Sequence, residues 1–164
     1  MKDRVREAVF NLIGPAVVGK HVIDLFAGTG ALALEAISRG AVFATLIEIH
    51  LPTAKNARTN IENLGLTEIC QLVSTDAFYW TKTRDNFLSQ SPWLVFVSPP
   101  YDFFVSKKHE MLEMLEILHS DAPSGSIIVL EADRRFDFAS LPFEIPEKKR
   151  RSYPPAEVGI FVSD

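Results

Sequence analysis

The stretch that decides the fold reads His21-Val22-Ile23-Asp24-Leu25-Phe26-Ala27-Gly28-Thr29-Gly30-Ala31. Its first six residues form a compact apolar run with two β-branched members, which is typical of a strand buried in a parallel sheet. The two glycines stand where a strand must turn sharply into a helix. Residues 31–38 are predicted to form that helix, which Gly40 closes. A strand, a glycine turn and a helix in succession indicate an α/β protein.

The same alternation of apolar runs and helical patterns continues along the chain. A first helix is predicted to end at Gly14-Pro15, and Tyr153-Pro154-Pro155 is predicted to form a turn before the last strand. Further strands are predicted at residues 43–49, 69–74, 93–97, 126–131, 143–145 and 158–162, and further helices at 53–64, 76–88 and 107–119. Short connections imply a mainly parallel central sheet with helices on both faces. We therefore expect a Rossmann-like α/β fold, a single domain over residues 1–164, with an antiparallel C-terminal strand.

Composition limits the classes of protein that are possible. The 164 residues are 47% hydrophobic and 23% charged, which suits one domain with a substantial core. The single cysteine, Cys70, excludes an internal disulfide framework, and no Cys or His pair has metal-site spacing, so no metal is expected. Neither a signal peptide nor an apolar stretch of about 18 residues is present, so we expect a cytoplasmic protein without membrane contact.

The charge distribution limits how the chain can contact nucleic acid. A net charge of −4 argues against coating nucleic acid by bulk electrostatics, because phosphate binding depends on clustered Lys and Arg. Any such contact must be local. The alternative at each basic cluster is an ordinary solvated face. The candidate clusters are Lys2, Arg4 and Arg6, then Lys107 and Lys108, and then Lys148, Lys149, Arg150 and Arg151.

The glycine turn is a candidate nucleotide-binding loop. The segment from Gly28 to Ala33 also satisfies the dinucleotide pattern, with Ala in the third place, and a purely structural turn is a further alternative. Asp24 favours S-adenosylmethionine, because its carboxylate can meet the ammonium group of that cofactor but would repel a pyrophosphate. The other predicted cofactor contacts of this turn are Phe26, Ala27, Gly28, Thr29 and Gly30.

Two more acidic residues follow strands of the predicted sheet. Glu48, about 20 residues beyond the first glycine and followed by Ile49, is placed to accept hydrogen bonds from the two ribose hydroxyls. Asp76, followed by Ala77, is placed either to accept from the adenine amino group or to cap the helix that it begins. One residue can do both. These four residues complete the predicted cofactor site.

The motif Ser98-Pro99-Pro100-Tyr101 follows a buried apolar strand and indicates an amine-directed chemistry. The prolines fix the backbone and remove two amide donors, so that nearby carbonyls are left as acceptors. An exocyclic aromatic amine is a poor nucleophile and needs acceptors for its hydrogens, which Ser98 Oγ and the Pro99 carbonyl can provide. The Tyr101 ring can stack on the base, a contact of ~1–3 kcal/mol. These four residues are the predicted catalytic residues.

The sequence resembles the bacterial RsmD-type methyltransferases over nearly its whole length. The resemblance is carried by the segments 3–11, 24–32, 35–36 and 38–41, by Glu48, by the helix end from Asn60 to Leu66, by Asp76-Ala77 and by the Pro-Pro-Tyr motif. That family acts on the guanine N2 amino group of small-subunit ribosomal RNA. The resemblance implies a class I methyltransferase fold, S-adenosylmethionine as cofactor, and ribosomal RNA or the small ribosomal subunit as partner.

The chain departs from this family pattern at two places. The family usually has Asp where this chain has Ser98, and a neutral hydroxyl is a weaker acceptor than a carboxylate. The family also usually carries a basic segment before the first helix, so this chain is expected either to be truncated or to bind its substrate differently. Lys2, Arg4 and Arg6 are then the predicted RNA contacts, and the protein is expected to act as a monomer.

Two alternatives to a guanine-N2 methyltransferase stay open at this point. The first keeps the cofactor and the reaction but changes the acceptor to a DNA base or a protein amide. The second is a binding protein, a former enzyme that associates with ribosomal particles without turnover. Transfer assays with different acceptors discriminate among the three hypotheses.

Overall fold

The fold is built on one sheet of seven strands in a computed structural model that describes residues 1–83 and 91–164. The strands are β1 (His21–Asp24), β2 (Phe43–Ile47), β3 (Cys70–Val73), β4 (Trp93–Val97), β5 (Ile127–Asp133), β6 (Arg150–Tyr153) and β7 (Ala156–Val162). Their spatial order is β3-β2-β1-β4-β5-β7-β6. The first five strands pair in parallel, whereas β7 pairs antiparallel with both β5 and β6. The predicted Rossmann-like fold with an antiparallel C-terminal strand is confirmed.

Helices cover both faces of the sheet. They are α1 (Asp3–Ile13), α2 (Ala31–Ser38), α3 (Leu51–Asn63), α4 (Ala77–Thr83), α5 (Phe103–Ser106) and α6 (Lys108–Asp121), with short 3-10 turns at Gly14–Val17, Phe138–Ser140 and Glu147–Lys149. Buried residues of α1, α2 and α3 form the core on one face. Buried residues of α4, α5 and α6 form the core on the other face. No helix in the described part of the chain has the length and apolar character needed to cross a membrane.

Burial on both faces explains why the central strands read as unbroken apolar runs. All five residues of β4 are buried, and they alternate between the two cores. Leu94 and Phe96 face α1 and α2, whereas Trp93, Val95 and Val97 face α6. Alternation with period two is the geometry of a strand, and here neither side meets water.

The C-terminal part corrects one sequence prediction and adds one strand that was not predicted. Residues 143–145 do not form the predicted strand, although Phe143 and Ile145 are buried. Phe143 instead stacks on His119 with ring centroids 4.9 Å apart, so its apolar character serves packing rather than pairing. The edge strand is β6, which contains Arg150 and Arg151 and is joined to β7 by the predicted Pro154-Pro155 turn.

Of the helix predicted over residues 76–88, the structure describes 77–83 as helix, and 84–88 lie outside the described residues.

Candidate active site

The candidate site lies at the carboxyl ends of the parallel strands. Asp24 ends β1, Glu48 directly follows β2, Asp76 follows β3, and Ser98 directly follows β4. Since β1 lies between β2 and β4, the chain reverses its direction of travel across the sheet between β1 and β4. Ligands in such sheets bind in the crevice at this reversal point. The fold therefore brings the predicted cofactor residues and the predicted amine motif to neighbouring positions.

The turn after β1 is fixed by backbone geometry and by two long-range hydrogen bonds. Gly28 and Gly30 have φ of 57° and 87°, a left-handed conformation that disfavours side chains. The Ala27 N–H donates to the Ile47 carbonyl at 2.9 Å, and Asn60 Nδ2 donates to the Thr29 carbonyl at 3.0 Å. The turn is therefore held against β2 and α3 and is shaped before any ligand arrives.

Glu48 fastens the same turn from the neighbouring strand. Its Oε2 accepts a hydrogen bond from the Gly28 N–H at 2.8 Å, and its Oε1 accepts from the His50 N–H at 2.8 Å. A carboxylate oxygen has two lone pairs, so each oxygen can still accept from a ligand hydroxyl. The half-buried side chain also lines a pocket, which is compatible with the predicted ribose contact.

Asp76 caps the helix that follows it. Its Oδ1 accepts from the Tyr79 N–H at 2.9 Å, which is the N-cap arrangement, so the structural half of the sequence prediction is confirmed. Asp76 also lines the pocket next to Glu48. The capping bond thereby holds a carboxylate at the pocket wall, where it remains available to a ligand amino group.

A pocket of about 300 Å³ opens between these residues. Two phenyl rings, Phe26 and Phe103, line it. Phe78 packs against both, and the three ring centroids lie 6.1–6.2 Å apart. Such an apolar slot with a few polar groups is typical of small-molecule sites. Five predicted cofactor residues line it: Phe26, Glu48, Ile49, Asp76 and Ala77. A larger groove of about 660 Å³ beside Phe161 contains none of the predicted site residues.

Lys107 is a pocket residue that the sequence prediction assigned only to a basic cluster. Its Nζ lies 4.5 Å from the centroid of Phe103 and 5.3 Å from that of Phe78, so the ammonium group rests on two ring faces. The side chain lines the same pocket as Glu48. A cation therefore lies at the aromatic side of the pocket.

Asp24 is a fully buried carboxylate next to the reversal point. Neither of its oxygens has a well-formed hydrogen bond in the described part of the chain. Burial raises the pKa of Asp24 to about 7, while the positive amino terminus and the amides of Ala33 and Phe26 act in the opposite direction. An unpaired buried carboxylate is costly unless a cation or donor meets it, and this cost marks Asp24 as a ligand-binding candidate.

The motif after β4 is held by a residue that the sequence analysis did not select. Glu131 of β5 is 2% exposed and accepts hydrogen bonds from both polar side chains of the motif. The Ser98 hydroxyl donates to its Oε2, and the Tyr101 hydroxyl donates to its Oε1 at 2.9 Å. Burial raises the pKa of Tyr101, and the hydrogen bond to Glu131 raises it further, so this phenol stays a donor. The Met1 amino group lies 3.5 Å from Glu131 Oε2.

A sequence signal for Glu131 existed. Glu48 was selected because it is an acidic residue that closes a predicted apolar strand, and Glu131 closes the strand predicted at residues 126–131 in the same way. The sequence does not show which residue lies beside Glu131 on the neighbouring strand. Parallel pairing of Val97 with Leu130 places Ser98 beside Glu131, and this contact joins residues 33 positions apart.

The three predicted RNA contacts at the start of the chain differ in availability. Lys2 and Arg4 are exposed. Arg6 is half-buried, and its guanidinium pairs with Glu35 at 2.9 Å and with Asp3 at 3.1 Å. The basic residues 148–151 lie far along the chain in a 3-10 turn and the edge strand β6. Residues 1–83 and 91–164 contain no cluster of three or more acidic, His or Cys side chains that could hold a metal ion.

Comparison with known proteins supplies independent findings. A family model described as conserved hypothetical protein 95 matches residues 1–161. The ribosomal RNA small subunit methyltransferase D of Buchnera aphidicola is 33% identical over 107 residues, which is 65% of this chain and 53% of that relative. The chain therefore spans about half the length of this curated relative.

Solved structures with the same architecture extend the comparison. A putative methyltransferase, YhhF from Escherichia coli, superposes with a TM-score of 0.81 at 25% identity, covering 100% of this chain and 87% of that one. An RNA methyltransferase from Salinibacter ruber in complex with S-adenosyl-L-homocysteine has a TM-score of 0.69 at 17% identity, with coverage of 99% and 92%. These findings confirm the class I methyltransferase fold and the resemblance to RsmD-type proteins.

Proposed function

Because the chain belongs to the family described as conserved hypothetical protein 95, we propose that it transfers a methyl group from S-adenosylmethionine to the N2 amino group of a guanine in small-subunit ribosomal RNA. The observation that carries this proposal is the position of the Ser98-Pro99-Pro100-Tyr101 motif. It follows β4 at the reversal point, beside the pocket that five of the predicted cofactor residues line. The name of the Buchnera relative supports ribosomal RNA as the substrate class. A ribosomal substrate implies a cytoplasmic location.

The donor set fits S-adenosylmethionine. Asp24 is an unpaired buried carboxylate, which suits the ammonium group of the cofactor. Glu48 keeps free lone pairs for the ribose hydroxyls, and Asp76 stands at an apolar slot suited to adenine. The Salinibacter neighbour holds the demethylated product of this cofactor, which supports the same choice.

The proposed chemistry depends on orientation more than on a strong base. The bound cofactor supplies a methyl carbon on a positively charged sulfur, which is a good leaving group. Ser98 Oγ and the Pro99 carbonyl accept the two hydrogens of the amine, so that its lone pair is directed at the methyl carbon. The Tyr101 ring holds the base plane by stacking. Holding reactants in such a geometry can contribute ~7–11 kcal/mol to lowering a barrier.

The proposal is tested by labelled methyl transfer with two variants of one residue. Tyr101→Ala removes the ring and the hydroxyl, whereas Tyr101→Phe keeps the ring. We expect Tyr101→Ala to lose at least about 10-fold in transfer through lost stacking, and Tyr101→Phe to lose less. Cofactor affinity, measured by calorimetry, should be unchanged in both. Unchanged transfer by Tyr101→Ala would remove the motif from the mechanism.

Acceptors assayed side by side decide among the alternatives. Unmodified small ribosomal subunits, protein-free ribosomal RNA, duplex DNA and a glutamine-containing peptide are given to the wild-type chain with labelled cofactor. Label in DNA or in the peptide would replace the proposed acceptor. Cofactor binding without label on any acceptor would support a protein that associates with ribosomal particles without turnover.

A further inference from the structure

One buried ionisable side chain at the site has no role in the proposed chemistry so far. Glu131 is 2% exposed, and burial of a carboxylate is unfavourable unless its oxygens accept hydrogen bonds. The hydroxyl groups that donate to it are those of Ser98 and Tyr101, the two polar side chains of the amine motif. The carboxylate is therefore bound to the motif rather than to the surrounding apolar core.

Strand register gives this contact its geometry. In the parallel pair of β4 and β5, Val97 lies opposite Leu130. The residues that follow them, Ser98 and Glu131, therefore lie side by side. Each carboxylate oxygen accepts from a different end of the motif. The backbone between those ends consists of two prolines, which have fixed φ and no amide donor. Glu131 thus fixes both side chains that flank a segment whose backbone is already stiff.

The hydrogen bond changes what the Ser98 hydroxyl can do. A serine hydroxyl has one proton to donate and two lone pairs that accept. With the proton committed to a carboxylate, both lone pairs are left for the hydrogens of an amine, and the charge-assisted bond polarises the oxygen into a stronger acceptor. A hydroxyl without this partner is free to donate to the amine lone pair, which would weaken the nucleophile.

We propose that Glu131 is a positioning residue for methyl transfer, which holds the Ser98 hydroxyl as an acceptor for the target amine and fixes the Tyr101 ring beside it. The inference rests on the proposed function, since it concerns the acceptor half of the same site. Glu131 acts through Ser98 and Tyr101 and does not touch the reacting atoms. Its removal should therefore lower kcat while cofactor affinity and the KM for RNA stay nearly unchanged.

A double-mutant cycle tests this dependence on Ser98. The variants are Glu131→Gln, Ser98→Ala and both together, with Glu116→Gln on the exposed side of α6 as the matched control. We expect Glu131→Gln to lose about 10- to 100-fold in kcat, in the range of a lost charge-assisted hydrogen bond. The double variant should lose less than the product of the two single losses, because Glu131 acts partly through Ser98 and partly through Tyr101. Introducing Ser98→Asp into Glu131→Gln should restore part of the lost kcat.

The outcomes separate this inference from the proposed function. Unchanged kcat in Glu131→Gln, or fold-losses that multiply in the double variant, would overturn the positioning role while methyl transfer by the wild type stands. No transfer by the wild type to any acceptor would overturn both. If Glu131→Gln does not fold, Glu131→Asp keeps the charge but withdraws the oxygens by roughly 1.5 Å. That variant should bind the cofactor normally and lose kcat, and full kcat would contradict the proposal.

Discussion

Two buried carboxylates at the same edge of the sheet differ in their hydrogen bonding. Asp24 at the end of β1 is fully buried and has no well-formed hydrogen bond, whereas Glu131 in β5 accepts from two hydroxyls. Only β4 lies between their strands. The free carboxylate suits a ligand that brings its own positive charge and donors. The saturated carboxylate suits a part of the site that must be rigid before the substrate arrives.

The difference extends to the surroundings of each carboxylate. The cofactor half is shaped by backbone, with the Gly28 and Gly30 turn held to β2 and α3, and it keeps unused acceptors. The half that contains the Ser98-Pro99-Pro100-Tyr101 motif is shaped by side chains that form hydrogen bonds with one another. The proposed function needs a site that binds a cationic cofactor and orients a neutral amine. This division suits it, since binding needs unoccupied acceptors and orientation needs fixed partners.

The largest effect is expected from Asp24→Asn, through the pH dependence of stability. A raised carboxyl pKa means that the folded protein keeps a proton that the unfolded chain loses between pH 4 and about 7. Stability of the wild type should therefore fall as pH rises through this window and level off above it. The variant should not show this fall, a difference on the order of 3 kcal/mol between pH 4.5 and pH 8.

Thermal and urea unfolding at both pH values measure that difference, with Glu62→Gln on the exposed side of α3 as the control. Asp24→Asn should also bind S-adenosylmethionine at least about 10-fold more weakly, because a charge-assisted hydrogen bond is lost. If the unfolding free energies of wild type and variant change with pH in the same way, Asp24 is not an uncompensated carboxylate and does not differ from Glu131 in this respect.

Glu131→Gln should lower the free energy of unfolding at pH 7, whereas Asp24→Asn should remove a loss of stability there. An amide has one acceptor oxygen in place of two, so either the Ser98 or the Tyr101 hydroxyl loses its partner. We expect a loss of about 1–2 kcal/mol at pH 7, measured as the free energy of unfolding in urea. A gain in stability would mean that burial of the Glu131 carboxylate, like that of Asp24, is unfavourable in the free protein.

Gly30→Ala tests whether the cofactor half is held by backbone. At φ of 87° a Cβ is strained, and it would also lie 2.9 Å from Cδ2 of Leu46, a fully buried side chain. We expect a loss of about 1–2 kcal/mol in unfolding free energy. Gly28→Ala, at φ of 57° with open space around the new Cβ, is the matched control for strain without contact and should lose less. Equal losses would show that packing against Leu46 plays no part.

The smallest effect is expected from Lys107→Met. The substitution keeps an unbranched apolar chain but removes the cation from the faces of Phe103 and Phe78. The expected loss is about 0.5–1 kcal/mol, measured by thermal unfolding at low and high salt. Because the cation faces rings rather than an acid, salt should change the difference little. A strong salt dependence would indicate that Lys107 pairs with a pocket carboxylate such as Glu48.

Much of the fold was predictable because its central strands are buried on both faces. Burial of this kind produces unbroken apolar runs such as residues 93–97, and the glycine turn marks where the first strand ends. The same signal misled at residues 143–145, where the apolar residues pack as a loop on His119. Apolar composition reports burial, and burial alone does not distinguish a strand from a packed loop. The strand β6 was missed because its residues 150 and 151 are charged.

The candidate site was predictable to the extent that it follows strand ends in the sequence. Glu48, Asp76 and Ser98 were selected by that rule, and the structure brings them to one edge of the sheet. Glu131 and Lys107 were missed as site residues because their roles arise from lateral contacts. One depends on the register of β5 against β4, and the other on the approach of α5 to the pocket. The pairing of Arg6 with Glu35 was equally invisible, because it joins residues of two different helices.

The most direct test of the account is the identity of the methylated nucleoside. Unmodified small ribosomal subunits are incubated with the wild-type chain and labelled S-adenosylmethionine, and the RNA is digested to nucleosides and separated by chromatography. The proposed function predicts that the label elutes as N2-methylguanosine and is strongly reduced with Tyr101→Ala. Label in any other nucleoside, or no label although the cofactor binds, would contradict it.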